Sequence, residues 1–343
     1  LQGVVAGGTD FSGIGAPDGQ TPVGSVGSEH GTMVAGLAAG RGSGGNNGVI
    51  GSAPESVVLA ISIGFGEGTL SSDDQIAQAV RWAVDHGADL ESHPRAQLGD
   101  WPVSWDDAFL YAQEHDVVVV AAAGNRGSGT TQVGAPATMP GVLTVAGVDA
   151  NGEASFDASS QGITIAVAAP SENLVGVVPG GGHVIWNGTS GATPIVAGVV
   201  ALVRAAHPEL DAANVINRVV ATARDEGAPG PDPIYGFGLL DAEAAVNATV
   251  PAVDANPMGD LAEWIKLYRR AESTPSPLPT FVPSPSPVPV AAGPQNPLGT
   301  ILPTVNQLRN VGIPLAVLAV FLALAVGVVV AAVRRFRGTR RTL

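Results

Sequence analysis

Three polar side chains in this sequence have the types and surroundings that acyl-transfer chemistry needs: His30, Asn125 and Ser190. His30 lies in Glu29-His30-Gly31-Thr32, directly before the small and apolar run MVAGLAAG. A histidine at a helix entrance can be a polar cap, but one crowded by small residues is held still and can act as a general base. Asn125 closes AAAGN at the carboxyl end of the most apolar of the strand-like runs, the end at which open α/β sheets place their sites. Its amide can bond back to its own turn or donate to a developing oxyanion, worth about 3 kcal/mol where that role is filled. Ser190 lies in Asn187 to Ala197, NGTSGATPIVA, at the head of a small-residue helix whose free amides favour negative charge. Alone it reads as an N-cap as readily as a nucleophile. Together the three supply a nucleophile, a base and an oxyanion donor.

Elements of a recognisable kind must bring these residues together. VVLAISI (Val57 to Ile63), DVVVVAAA (Asp116 to Ala123), GVLTVAGV (Gly141 to Val148) and ITIAVAA (Ile163 to Ala169) read as strands, apolar enough to be buried on both faces. Ser72 to Asp85 reads as a helix with acids in its first turn, Trp105 to Glu114 as another, and Ala192 to Ala206 as a helix buried nearly all round. Pro194 is expected in the first turns of that helix, where its missing N–H costs little. Tyr235 to Val246 turns through glycines into a short helix. Alternating strands and helices predict a mainly parallel sheet covered on both faces.

EHGTMVAGLAAG, VVVVAAAGN and NGTSGATPIVAGVVALVRAAHPEL, in this order and at these separations, resemble the histidine, oxyanion-asparagine and serine blocks of the subtilisin-like serine peptidases, family S8. PATMPGVLTVAGVD (Pro136 to Asp149) and YGFGLLDAEAAV match two further segments, so the resemblance covers roughly residues 1–250. It implies a three-layer α/β fold with a mainly parallel central sheet, and peptide-bond hydrolysis through an acyl-enzyme. Ser190 would be the nucleophile, His30 the base, and Asn125 with the Ser190 amide the oxyanion hole. The substrate would be a protein or peptide, with no cofactor and no metal. Gly191 and Ile195 stand where many relatives have Met and His, beside the nucleophile and without removing a required group.

Two stretches depart from the family pattern. Relatives carry the triad Asp in a D-T/S-G turn well upstream of the histidine, whereas only 29 residues precede His30. Asp10 and Asp18 stand in Thr-Asp-Phe-Ser and Pro-Asp-Gly-Gln, the wrong context. The catalytic Asp is therefore expected upstream of Leu1, and the chain is read as N-terminally incomplete. Leu90 to Asp100, LESHPRAQLGD, replaces an apolar strand that pairs with substrate; Pro94 cannot donate a ladder bond, and Glu91, His93 and Arg95 suit a central strand poorly. His93 makes no metal spacing with His86 or His115. These departures leave one alternative, a catalytically inactive protease-like scaffold of a membrane secretion complex. A lipase or esterase is disfavoured because the serine lacks a G-x-S-x-G elbow.

Composition limits the partners. Thirty acidic residues against 16 basic, net charge −14, exclude nucleic acid. Five of the basic residues, Arg334, Arg335, Arg337, Arg340 and Arg341, crowd the last ten positions. They follow Val311 to Val333, an uncharged apolar run long enough to cross a hydrocarbon layer of about 30 Å. The basic flank sets the tail inside and the bulk of the chain outside. The organisation read from the sequence is a peptidase domain over 1–250, a short amphipathic helix within 251–270, a proline-rich extracytoplasmic linker over 271–310, one transmembrane helix over 311–333 and an Arg-rich cytoplasmic tail over 334–343. The lipid bilayer is the partner of 311–333. Stalk and anchor narrow the resemblance to the membrane-anchored mycosin-like branch of type VII secretion, whose secretion-system membrane proteins would be further partners. The absence of cysteine departs from that branch.

Overall fold

The apolar runs become strands as their composition dictates, and what differs among them is how completely they are covered. In the computed structural model, residues 1–269 are described, apart from 25–26, 45–46, 67, 69, 89 and 94–100. Strand β1 (Val5–Asp10) pairs in parallel with β2 (Val58–Ser62), and helix α1 (His30–Ala39) lies between them in the chain. Helix α2 (Ser72–Asp85) then leads to β3 (Leu90–His93), and α3 (Val103–Glu114) to β4 (Val118–Ala122). With β5 (Leu143–Val148) and β6 (Ile165–Pro170) these make a four-stranded parallel sheet in the order β3-β4-β5-β6. An antiparallel hairpin, β7 (Leu174–Val178) and β8 (Gly182–Trp186), precedes α4 (Thr189–Ala206), α5 (Ala212–Ala221), α6 (Ala242–Asn247) and α7 (Leu261–Tyr268).

Helix α2 shows how local signals set an element. Ser71 Oγ accepts from the Asp74 amide at 3.1 Å, and Asp73 and Asp74 occupy the positive end. Ile76, Ala79, Val80 and Ala83 recur at three- and four-residue spacing and are buried. Strand β4 is the centre of the core because its alternate side chains serve two layers. Val118 and Val120 cluster with Val196 and Val200 of α4 and Ile216 of α5, while Val119 and Ala121 cluster with Ile76, Trp105 and Phe109 of α2 and α3. At about 1.5–3 kcal/mol for each large apolar side chain removed from water, these two clusters hold the three layers together. The three-layer, mainly parallel α/β architecture expected from the sequence is present.

Several expectations change in detail. Leu90–His93 is a strand despite its polar residues. Its backbone pairs in parallel with β4, its one neighbour in the sheet among the described residues. The rest of the Leu90 to Asp100 segment lies outside the described residues. Pro194 is the sixth residue of α4, not a first-turn residue. There it removes the amide that would bond the Ser190 carbonyl. The amphipathic segment after residue 250 forms α7, and its Leu261 is wholly buried against the α3 side of the core. Trp264 packs on Trp101 with ring centroids 4.4 Å apart, and Arg269 pairs with the buried Asp106 at 3.0 Å. Residues 251–269 thus belong to the same compact unit as the preceding ones.

Among the described residues one helix, Thr189–Ala206, is long and apolar enough to cross a membrane by length and composition, and 61% of it is buried inside the protein. It is the core helix that carries Ser190. The apolar run 311–333, the linker 271–310 and the tail 334–343 lie outside the described residues.

Candidate active site

Ser190 is the second residue of α4, 8% exposed, at a helix N-terminus that begins at Gly188 with φ +142°. That backbone conformation needs glycine. A Cβ on Gly188 would also stand 3.0 Å from Asn125 Nδ2, so the bare backbone lets the asparagine amide lie against the chain two residues before the serine.

A short relay fixes the orientation of that amide. Thr189 donates from its backbone N to Asn125 Oδ1 at 2.8 Å and from Oγ1 to the same oxygen at 3.0 Å. The Thr189 hydroxyl in turn accepts from the Gly124 amide at 3.1 Å. Because a backbone N–H can only donate, the carbonyl oxygen of Asn125 must face Thr189 and its NH₂ must face the other way. Among the described residues Nδ2 has no hydrogen-bond partner. A preoriented, uncommitted donor beside a serine at a positive helix end can receive negative charge on an oxygen. Thr189, which makes this orientation, is a functional residue the sequence reading missed; its only signal was its position between Gly188 and Ser190.

His30 is the first residue of α1, and it reaches the same region from the other side. Its ring meets the Trp186 ring edge to face, centroids 5.8 Å apart at 76°. Trp186 and Leu37 of α1 come within 3.3 and 3.4 Å of where a side chain on Gly191 would begin. Helix α1, strand β8 and the head of α4 therefore converge beside Ser190, and the structure brings His30, Asn125 and Ser190 into one neighbourhood. Trp186 also went unread, because GHVIW carries no motif. Its cap differs from that of α2: Glu29 precedes the helix with no side-chain hydrogen bond to the first turn.

Asp10 and Asp18 are engaged in turns. Asp10 accepts from the Ser12 amide at 3.1 Å through Oδ1 and from the Gly13 and Gly15 amides at 3.0 and 3.2 Å through Oδ2. Asp18 accepts from the Gln20 amide at 3.1 Å. A Cβ on Gly191 would lie 2.3 Å from Leu174 Cδ1, the tip of a half-buried side chain, so a larger residue there requires Leu174 to turn aside. Ile195 is half-buried within α4. Among the described residues no group of three or more His, Asp or Glu side chains could hold a metal ion.

Comparison with known proteins agrees with this geometry. Residues 10–238 match the family described as the subtilase family, peptidase S8. The chain is 34% identical over 257 residues to fervidolysin from Fervidobacterium pennivorans, covering 66% of this chain and 36% of that protein. It is 37% identical over 226 residues to subtilisin DY from Bacillus licheniformis, covering 64% of this chain and 78% of the other. It thus spans about a third of the first relative and about four fifths of the second. Among solved structures, the MycP3 protease from the type VII (ESX-3) secretion system superposes with a TM-score of 0.61 at 31% identity, covering 72% of this chain and 79% of that one.

Proposed function

Since this chain belongs to the subtilase family, we propose that it is a serine endopeptidase in which Ser190 attacks the carbonyl carbon of a peptide bond. His30 takes the serine proton and returns it to the leaving amine, and Asn125 Nδ2 with the Ser190 amide holds the oxyanion. The observation that carries this reading is the Thr189 relay, which engages the carbonyl oxygen of the Asn125 side chain and leaves its Nδ2 donor uncommitted beside Gly188.

The carboxylate that orients His30 belongs, in this proposal, to a strand upstream of Leu1. The state of β2 supports it. Val58, Leu59, Ala60 and Ile61 are all only half-buried, although strands of parallel sheets are ordinarily covered on both faces. Among the described residues β2 has β1 as its single neighbour, and β3 has β4 as its own. One added parallel strand between β2 and β3 would join the two sheets and bring its carboxyl end towards His30.

Residues 311–333 anchor the protein in a cell membrane in this reading, with 271–310 as the extracytoplasmic stalk and 334–343 in the cytoplasm. The likeness to MycP3 supports secretion-system membrane proteins as partners. The unfinished edges of β2 and β3 favour a second reading, a protease-like scaffold that does not turn over substrate.

Labelling with a fluorophosphonate probe separates the two. It is applied to the chain as given, to its Ser190→Ala variant and to a version extended upstream by its own coding sequence. Ser190-dependent labelling of the extended version supports the peptidase; absence of labelling from both folded forms overturns it in favour of the scaffold.

A further inference from the structure

Trp186 ends the β7-β8 hairpin, and three other elements seat its indole. A Cβ on Gly176 of β7 would stand 2.9 Å from Trp186 Nε1 and 2.9 Å from Met33 Cγ of α1, and a Cβ on Gly191 of α4 would stand 3.3 Å from Trp186 Cζ2. Two glycines therefore leave the room in which one edge of the indole lies. Nε1 is buried there with no hydrogen-bond partner among the described residues. A buried indole N–H ordinarily finds an acceptor, so shape and not polar bonding sets the place of this ring.

The imidazole it meets stands at the least secured point of its own helix. His30 opens α1, where Glu29 gives no side-chain cap and the first turn holds no acid, and uncapped helix ends fray. Contacts from other elements must then fix the ring. Trp186 supplies one directly, edge to face at 5.8 Å and 76°, an arrangement that aromatic pairs prefer. Through the space at Gly176 it also comes close to Met33, one turn further along α1 and 8% exposed. The indole thus bears on α1 at two successive turns while its other edge lies against the head of α4.

We propose that Trp186 is a positioning residue for peptide-bond cleavage, a wedge between α1, β7 and α4 that braces the imidazole of His30 beside the head of α4. The inference rests on the reading of His30 as the base. Proton transfer demands that base and nucleophile stay within hydrogen-bond reach, and a misplacement of about 1 Å can cost about 10² in rate. Gly176 and Gly191 belong to the same device, because a side chain at either position presses on the indole before it reaches the histidine.

Rates counted per titrated site separate positioning from folding. The chain extended upstream by its own coding sequence is compared with its Trp186→Phe, Trp186→Leu and Gly176→Ala variants on a peptide arylamide that has no residues beyond the scissile bond, with active sites counted by the fluorophosphonate probe. Trp186→Leu should lower kcat about tenfold, the scale of one aromatic pair, and leave KM unchanged. Trp186→Phe should recover most of the loss, and Gly176→Ala, which pushes on Nε1 with Trp186 in place, should show a smaller loss of the same kind. An unchanged kcat overturns the proposal, as does a loss confined to KM and to peptides that extend past the scissile bond. In the chain as given, the ring-proton resonances of His30 should move with Trp186→Leu and stay put with Ile216→Val in the α5 core; resonances unmoved by Trp186→Leu also overturn it. Failure of the peptidase reading registers separately, as absence of Ser190-dependent labelling of the extended chain, and the His30 resonances then still decide whether Trp186 holds the imidazole.

Discussion

The two sides of the site are built to different standards of completion. Ser190 and Asn125 rest on β4 and α4, whose side chains are buried through both core clusters, and Thr189 binds the two elements by hydrogen bonds. His30 rests on α1, which lies in the chain between two strands that form a separate, half-buried pair, and α1 starts without a side-chain cap. Ser190 and Asn125, the nucleophile and oxyanion donor of the proposed reading, are positioned by a finished core, whereas His30, its proposed base, is held by a region with a half-buried strand pair. If the proposed roles hold, changes to the histidine side should alter reactivity more readily than changes to the core that carries Ser190.

The strongest way to sharpen the contrast is to remove one group from each side in the extended version. Ser190→Ala and His30→Ala should each lower kcat/KM for a peptide substrate by about 10⁴-fold or more, measured by steady-state cleavage. Equal losses in the chain as given would show that the histidine side is already complete.

Asn125→Asp comes next. It keeps the acceptor that Thr189 uses and deletes the Nδ2 donor, so kcat should fall by about 10²–10³-fold. Thermal unfolding should change little, because the bonds to Thr189 remain. Asn125→Ala loses both functions, and its melting temperature should drop as well.

Hydrogen exchange reads the sheets directly. Amides of Leu59 and Ile61 in β2 should exchange at least about a hundredfold faster than those of Val119 in β4 and Val145 in β5. Extension upstream should slow the β2 amides and leave the others unchanged. Uniform protection across both sheets would erase the distinction.

The smallest effect is at the carboxyl end of β5. The Asn151 and Glu153 amides donate to Asp149 and hold its carboxyl below the ordinary aspartate value of 3.8. A depressed folded value means that the stabilisation is complete above the unfolded value and lost as pH falls through the folded one. Asp149→Asn should therefore cost stability at neutral pH and converge with the parent in acid, as read from urea midpoints across that range.

Much of this was legible in the residues. Helix α2 was read with its observed ends because cap, acidic first turn and apolar spacing all agree. The strands of the buried sheet were read to within a few residues because two-sided burial leaves long β-branched runs. Neither the β7-β8 hairpin nor the role of Trp186 was visible, since those strands are partly exposed and mix His, Gly and Trp. Leu90–His93 was misjudged because its strand is set by backbone pairing with β4, which polar side-chain composition does not reveal. The position of Pro194 shifted because α4 begins three residues before its apolar pattern does. Thr189 stayed hidden because its function lies in a contact across 64 residues of chain.

The collision between a side chain at position 191 and Leu174 also bears on how this site can change. With Leu174 in its present rotamer, a Cβ at position 191 would meet Cδ1 at 2.3 Å, so a larger residue there requires the leucine tip to swing aside. Leu174 is half-buried and its tip is the free end of a rotatable side chain, so the hairpin can yield without a second substitution. The two positions are coupled through a rotamer: what stands beside the serine sets how Leu174 lies, and an engineer grafting the methionine of other relatives should watch the hairpin as well as the helix.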